Sequence, residues 1–172
     1  MLEFAKWLGT TPLSVAIQSS TWLTPLLQAI HILMIGVVFV SMLMIALRVV
    51  GVARNDESFD ATWQRFAPWM WRGLLVMVLS GFVLIIGEPY RQAAALSFWL
   101  KMTLLLVAVL SVSGLGRTLA GRAAGSFATG PRLAAAAIIM VWIAIIFLGR
   151  AIAYDDSIWG SWSPAHQQDA AQ

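Results

Sequence analysis

The sequence contains no cysteine and little charge. Without cysteine, disulfide bonds and metal sites built on thiolates are excluded. Charged residues make up only 11% of the 172 residues and hydrophobic residues make up 60%. Soluble domains, in contrast, carry roughly one quarter charged residues. The net charge of +3 does not indicate nucleic acid as a partner, because the arginines flank apolar runs, where they orient helices in a membrane.

Several chemical motifs are also missing. The chain has no glycine-rich nucleotide loop, no nucleophile with a neighbouring base, and no paired carboxylates within an apolar run. Its first 20 residues lack a basic stretch followed by an apolar core, so we expect no cleaved signal peptide. The sequence therefore offers no positive sign of an enzyme.

Four long apolar runs predict four transmembrane helices. Crossing the hydrocarbon layer takes about 20 apolar residues in a helix, and none of the runs has the polar face that a soluble helix needs. We therefore predict an all-α integral membrane protein, with a four-helix bundle over residues 21–154. The predicted spans are residues 25–50, 68–87, 98–115 and 132–153.

Shorter segments flank this bundle. Residues 1–20 are apolar but interrupted by Gly9 and Pro12, so we expect a short interfacial helix that lies on the membrane. Residues 155–172 are predicted to form a polar tail. Between the first two spans, Ser58 is expected to cap a short helix that leads to a bend at Pro68.

The distribution of positive charge predicts the orientation. Because loops rich in Lys and Arg stay in the cytoplasm, we predict a multi-pass protein of a bacterial inner membrane with both termini in the periplasm. Seven basic residues lie on the predicted cytoplasmic side: Arg48, Arg54, Arg65, Arg72, Arg117, Arg122 and Arg132. Four lie on the opposite side: Lys6, Arg91, Lys101 and Arg150.

A layer of polar residues is predicted near the periplasmic ends of the spans. His31 lies about 9 Å inside the first span, at 1.5 Å per residue. Because ionisable groups are costly inside a membrane, each is a candidate functional residue, and we expect the layer to surround one pocket. Its members are His31, Glu88, Arg91, Lys101 and Arg150.

Structural explanations compete with this one. Lys101 and Arg150 are close enough to the interface to extend their charges towards water, and Glu88 would pair with Arg91 or Lys101. His31 is the only histidine in any predicted span, and a hydrogen bond to a carbonyl or a serine of another helix would satisfy it.

A lone histidine at this depth suggests a cofactor, because neutral imidazole is a common ligand of haem iron and of copper. Haem b would take His31 as its axial ligand. Its propionates would point outward, where Lys101, Arg150 and Arg91 neutralise them.

The second axial position of such a haem is open. Met102 or Lys101 on the third span, or His166 in the tail, would serve as the sixth ligand, and otherwise the iron is five-coordinate. Copper is the alternative cofactor, since Met34, His31 and Met102 offer the thioether and imidazole ligands that suit Cu(I).

Small residues recur along two spans and indicate close helix packing. This packing serves either the bundle itself or a contact with a second copy or a partner subunit. A non-catalytic subunit or assembly partner of a larger membrane complex is therefore the second function considered, and a carrier of copper or a small solute is the third. An enzyme that acts on a porphyrin or another lipid-soluble substrate is the fourth. The recurring residues are Gly73, Ser80 and Gly87 on the second span and Ala108, Ser111 and Gly114 on the third.

Several segments carry a family resemblance. The first span contains QAIHILMIG from Gln28 and LRVVG from Leu47, the second begins with PWMWRG at Pro68 and ends with GEPY at Gly87, and the third begins with FWLKM at Phe98. This ordered set resembles uncharacterised bacterial four-helix membrane proteins. Those proteins are distantly similar to the copper-resistance D family and to the bacterial membrane protoporphyrinogen oxidases. The resemblance covers residues 20–150.

The resemblance implies roles for two residues. His31 takes the place of a histidine that is associated with haem, and Lys101 that of a lysine after an aromatic residue at the start of the third span. The oxidases carry further histidines around that lysine and later in the helix, where this chain has none. The additional histidines of the copper family are also missing. The resemblance therefore favours a haem protein for electron transfer or redox sensing near the outer face of the membrane, and it argues against the oxidase activity.

Overall fold

A computed structural model describes residues 1–123 and 125–164. These residues form helices and no strand, and four helices are long and apolar enough to cross a membrane. The prediction of an all-α membrane bundle is therefore confirmed. In chain order the helices are α1 (Leu2–Gly9), α2 (Pro12–Ser19), α3 (Leu23–Val50), α4 (Phe59–Gly87), α5 (Pro89–Ala94), α6 (Leu96–Leu119), α7 (Thr129–Ala151) and α8 (Asp155–Trp159), with short 3₁₀ turns at Ile152–Tyr154 and Gly160–Trp162.

The chain divides into two compact units. The first comprises Met1–Leu33, Val76–Thr103 and the chain from Ile146, and the second comprises Met34–Leu75 and Leu104–Ile145. We call the first the terminal unit, since it contains the N-terminal helices, and the second the loop unit, since it contains the two longer connections between spanning helices. Each of α3, α4, α6 and α7 contributes a segment to both units.

The N-terminal region of the terminal unit forms two short helices, α1 and α2, where the sequence predicted one. Ser14 is fully buried and its hydroxyl donates a hydrogen bond to the Ile86 carbonyl at 2.7 Å. Ile17 packs on Gly87, where an added Cβ would lie 2.9 Å from Ile17 Cγ2. These contacts anchor α2 to the end of α4. Large apolar side chains remain exposed, as expected for a segment at a membrane surface: Phe4, Trp7, Leu13 and Val15.

Helix α4 is longer than predicted because it absorbs the short helix expected before Pro68. The Ser58 hydroxyl accepts a hydrogen bond from the Ala61 N–H at 3.2 Å, so the predicted cap is confirmed. Pro68 lies inside the helix. A proline has no N–H to donate to the carbonyl four residues earlier, yet the helix continues through it to Gly87.

The predicted polar tail begins as ordered structure. The Asp155 carboxylate accepts hydrogen bonds from the Leu96 N–H at 2.9 Å, the Ser97 N–H at 2.8 Å and the Ser163 hydroxyl at 2.8 Å. The Trp159 indole N–H donates to the Ser97 hydroxyl at 2.8 Å. The first N–H groups of a helix have no partner within the helix, so this segment caps α6 from a distant part of the chain.

The small residues of α4 pack within the chain. In the loop unit, a Cβ added at Gly73 would lie 2.9 Å from Val38 Cγ2 on α3. In the terminal unit, Gly87 contacts Ile17 of α2. The small residues predicted on the third span include Gly114, where no described atom outside its own stretch of α6 lies within 4 Å of an added Cβ, so Gly114 does not mark a close helix contact. On α6 the close approach is at Gly116 instead, where a Cβ would lie 2.7 Å from Trp63 Cζ2.

Candidate functional site

His31 lies half-buried on α3, against α4 in the terminal unit. Its Nδ1 atom is 2.9 Å from the Ser80 hydroxyl. The next residue of α4 is Gly81, where an added Cβ would lie 3.2 Å from His31 Cε1. A small hydroxyl followed by a glycine therefore lets the imidazole lie close to the backbone of α4, in one fixed orientation.

The surroundings of Ser80 favour one tautomer of this imidazole. The Ser80 hydroxyl is 2.8 Å from the Val76 carbonyl and 3.2 Å from the Met77 carbonyl. A serine within a helix commonly donates its single proton to such a carbonyl. We infer that the hydroxyl oxygen then accepts from His31 Nδ1, an arrangement in which Nε2 carries the lone pair. No described residue donates a hydrogen bond to Nε2.

Lys101 lies half-buried near the start of α6. Its side chain lies along α7, with Nζ 3.5 Å from the position that a Cβ of Gly149 would take. Lys101 is close enough to His31 for the two groups to interact electrostatically. It forms no ion pair with any described residue. The terminal unit therefore holds a cation without a counter-charge next to the only histidine of the spans.

The rest of the predicted polar layer is distributed differently. Glu88 and Arg91 form an ion pair with each other at the start of α5. Arg150 is exposed, and its guanidinium is 5.3 Å from the centroid of the Tyr154 ring and 3.3 Å from the Tyr154 hydroxyl. Met102 is half-buried on α6, directly after Lys101. Of this layer, Lys101 alone is within electrostatic reach of His31. Glu88 and Arg91 pair with each other, and Arg150 contacts Tyr154 in the 3₁₀ turn after α7.

A pocket of about 410 Å³ lies in the terminal unit, one helical turn along α3 and α4 from His31 and Ser80. It is enclosed by α2, the start of α3, the end of α4 and α5. Gln28 in its wall precedes His31 by three residues on α3, and Leu84 follows Ser80 by four residues on α4. The pocket therefore lies one helical turn, about 5 Å, from the contact between His31 and Ser80. We call it the carboxamide pocket, after Gln18, Gln28 and Gln92 in its wall.

Of the polar layer that was expected to surround one pocket, Glu88 and Arg91 line this pocket, whereas its uncharged groups were missed in the sequence. Glutamine near a span end is unremarkable by itself, and Gln18, Gln28 and Gln92 come from three different helices. The one available signal was the recurrence of Thr24, Gln28 and His31 at helical spacing along the first span, which places three polar groups on one face.

Clustered metal ligands are absent from the described parts of the chain. Within residues 1–123 and 125–164, no three His, Cys, Asp or Glu side chains come together. His166, a candidate sixth ligand in the sequence analysis, lies outside the described residues. A metal at His31 would therefore need ligands supplied by a cofactor, by methionine or by Lys101.

Arg48 is a second residue whose role the sequence missed. It was counted only as a charge that sets orientation, but in the loop unit its side chain is fully buried. Its Nε donates to the Glu57 carbonyl at 2.9 Å and its Nη1 to the Gly125 carbonyl at 3.1 Å, and its guanidinium lies 4.9 Å from the Phe127 ring centroid. Arg48 therefore holds both long connections of the loop unit, and its Nη2 has no partner among the described residues.

Arg54 adds a contact within the connection between α3 and α4, since its guanidinium forms an ion pair with the Glu57 carboxylate. The hydrogen bonds from Arg54 lower the pKa of Glu57 below its ordinary value. The pair therefore stabilises the folded chain at any pH above the ordinary pKa of glutamate. This stabilisation is lost as the pH falls through the lowered pKa of Glu57.

Comparison with known proteins identifies no relative. No protein-family model, no curated protein and no solved structure matches the chain. The functional conclusions therefore depend on the geometry of the terminal unit and on the family resemblance of the sequence.

Proposed function

We propose that this chain is a haem b-binding redox protein of a bacterial inner membrane, with His31 as the axial ligand of the iron. The observation that carries the proposal is the hydrogen bond between His31 Nδ1 and the Ser80 hydroxyl. Histidines that bind metals usually donate their other ring N–H to a fixed partner, which sets the ring orientation and the tautomer. Ser80 supplies that partner and leaves the Nε2 lone pair available for the iron.

The scarcity of other ligands favours haem over a bare metal ion. A porphyrin brings four nitrogen ligands of its own and asks the protein for only one or two. A bare ion would need several protein ligands, and no cluster of His, Cys, Asp or Glu is present among the described residues. His31 alone therefore suits haem, and Met102 on α6 would be the candidate for a second ligand if Lys101 pairs with a propionate.

Lys101 supports the same function through its charge. A haem carries two propionates, and Lys101 is a cation near His31 that forms no ion pair with the described residues. Arg91 and Arg150 already interact with Glu88 and Tyr154, so Lys101 becomes the first choice as a propionate partner. When bound, the haem supplies one-electron chemistry, while His31 binds it, Ser80 orients His31 and Lys101 balances charge.

The test is an absorption spectrum of the full chain purified in mild detergent, together with haem and metal analysis. We expect a Soret band that disappears in His31→Ala. The matched control is His166→Ala, which should retain the band and shift its position only if His166 is the sixth ligand. A colourless wild-type protein, a Soret band that survives in His31→Ala, or stoichiometric copper without haem would each contradict the proposal.

A further inference from the structure

The carboxamide pocket presents hydrogen-bonding groups that the chain itself does not use. Gln18 donates to the Gly9 carbonyl and the Ser14 hydroxyl. In contrast, the carboxamides of Gln28 and Gln92 form no hydrogen bond with any described residue, although both line the pocket. Each carboxamide offers two N–H donors and a carbonyl acceptor, so the pocket has unused capacity on α3 and on α5.

The charges of the pocket cancel. Glu88 and Arg91 both line it, and they form an ion pair with each other. An anionic or cationic ligand would find no unpaired opposite charge in the wall, and would have to displace one member of this pair. A neutral ligand with hydrogen-bonding oxygens meets no such cost.

The other lining residues are partly apolar. Ile17, Pro25 and Leu84 line the pocket beside the carboxamides, together with the hydroxyl residues Ser20 and Thr24. Leu13 on α2, Trp22 in the connection to α3 and Leu26 on α3 are exposed nearby in the chain. Ligand pockets of ~300–1,000 Å³ commonly combine apolar walls with a few placed polar groups. At about 410 Å³, this pocket has room for one ring and the start of an attached apolar chain.

We propose that the carboxamide pocket binds the ring of a membrane quinone, with the carbonyl oxygens of the ring hydrogen-bonded by Gln28 and Gln92. Such a molecule is neutral, accepts hydrogen bonds at two positions across a ring and carries an apolar tail suited to lipid. The choice of a quinone rather than another neutral lipid rests on the proposed redox function, since the pocket lies one helical turn from His31. Binding itself does not require haem.

The experiment measures binding of decylubiquinone to the full chain in lipid nanodiscs. The test variant is Gln28→Leu combined with Gln92→Leu, which keeps the side-chain size and removes both carboxamides. Loss of two hydrogen bonds should weaken binding about tenfold or more. The control is Gln64→Leu, the same change at an exposed position on α4 outside the pocket, which should leave the affinity unchanged. Thermal unfolding of each protein checks that the variants fold.

Other outcomes overturn the proposal. The absence of saturable binding, equal affinity in the double variant and the wild type, or equally strong competition by monodecanoin, a neutral lipid with a similar tail and no quinone ring, would each do so. The two proposals fail separately. Quinone binding by a protein that carries no haem supports the pocket and overturns the haem proposal, whereas a Soret band without quinone binding does the reverse.

Discussion

At the scale of single residues, His31 and Arg48 show how the same helix treats two ionisable side chains. His31 is half-buried and keeps one ring nitrogen unused, because Ser80 takes the other. Arg48 is fully buried and spends two of its nitrogens on the carbonyls of Glu57 and Gly125. Both residues stand in a predicted span. The ring nitrogen of His31 without a described partner suggests a ligand site, whereas the bonds of Arg48 to two separate connections indicate a structural role.

The role of Ser80 gives a prediction at this scale. Replacing Ser80 with Ala removes the hydrogen bond that orients His31, and loss of such a partner typically weakens metal binding about 10–100-fold. We expect Ser80→Ala to lower haem affinity by about this factor, measured by titrating haem into the apoprotein and following the Soret band. The effect should appear without loss of the folded state, because Ala is a good helix former.

Ser113 supplies the matched control. Its hydroxyl donates to the Val109 carbonyl at 2.7 Å, which is the same contact within the helix that Ser80 makes, but among the described residues no histidine bonds to it. Ser113→Ala should therefore leave haem affinity unchanged. An equal loss of affinity in both variants would indicate a general effect on the bundle and would contradict an orienting role for Ser80.

At the scale of helices, hydropathy located the spans and missed the contacts that set their ends. The apolar runs predicted a second span from residue 68, but α4 begins at Phe59 and continues through Pro68. The tail from residue 155 read as polar, yet Asp155 caps α6. A carboxylate that accepts two backbone N–H groups from a segment about 60 residues earlier in the chain leaves no local pattern.

The contact between α4 and α6 in the loop unit provides a second prediction. A Cβ at Gly116 would meet the Trp63 ring at 2.7 Å, so Gly116→Ala forces the ring or the helix to shift, at a cost of about 1–3 kcal/mol in the free energy of unfolding. Gly114→Ala lies on the same helix with no atom within 4 Å of the new Cβ. It should be neutral or stabilise by up to about 1 kcal/mol, because Ala favours the helix more than Gly.

Unfolding of both variants by increasing denaturing detergent, followed by circular dichroism, measures this difference. The expected order of stability is Gly114→Ala at or above the wild type and Gly116→Ala below it. If the two variants were equally stable, Trp63 would not pack on Gly116 as described.

At the scale of the whole molecule, the uneven distribution of positive charge predicts the orientation in the membrane. Seven basic residues on one side of the predicted topology against four on the other favour the connections of the loop unit in the cytoplasm and both termini in the periplasm. The carboxamide pocket and the N-terminus belong to the same terminal unit. We therefore propose that the pocket faces the periplasm, where the N-terminus is predicted to lie.

Reporter fusions test this orientation in a Gram-negative host. Alkaline phosphatase, which is active only in the periplasm, should be active when fused after Gln172 and inactive when inserted near Asp56 in the first long connection. A green fluorescent protein at the same two positions should give the opposite pattern. Phosphatase activity only in the fusion at Asp56 would contradict this topology and would show that the pocket faces the cytoplasm.

The sequence alone determined that this is a membrane bundle of four helices, and it identified His31 and Lys101 as the residues to examine. Both conclusions depend on local properties, since hydropathy is summed over neighbouring residues and an ionisable group inside an apolar run is visible without a fold. Only the tertiary structure decided that Ser80 is the partner of His31, that Glu88 and Arg91 neutralise each other, and that Gln28 and Gln92 share a pocket. Each of these depends on which side chains meet across different segments, and no local pattern in the chain encodes such a meeting.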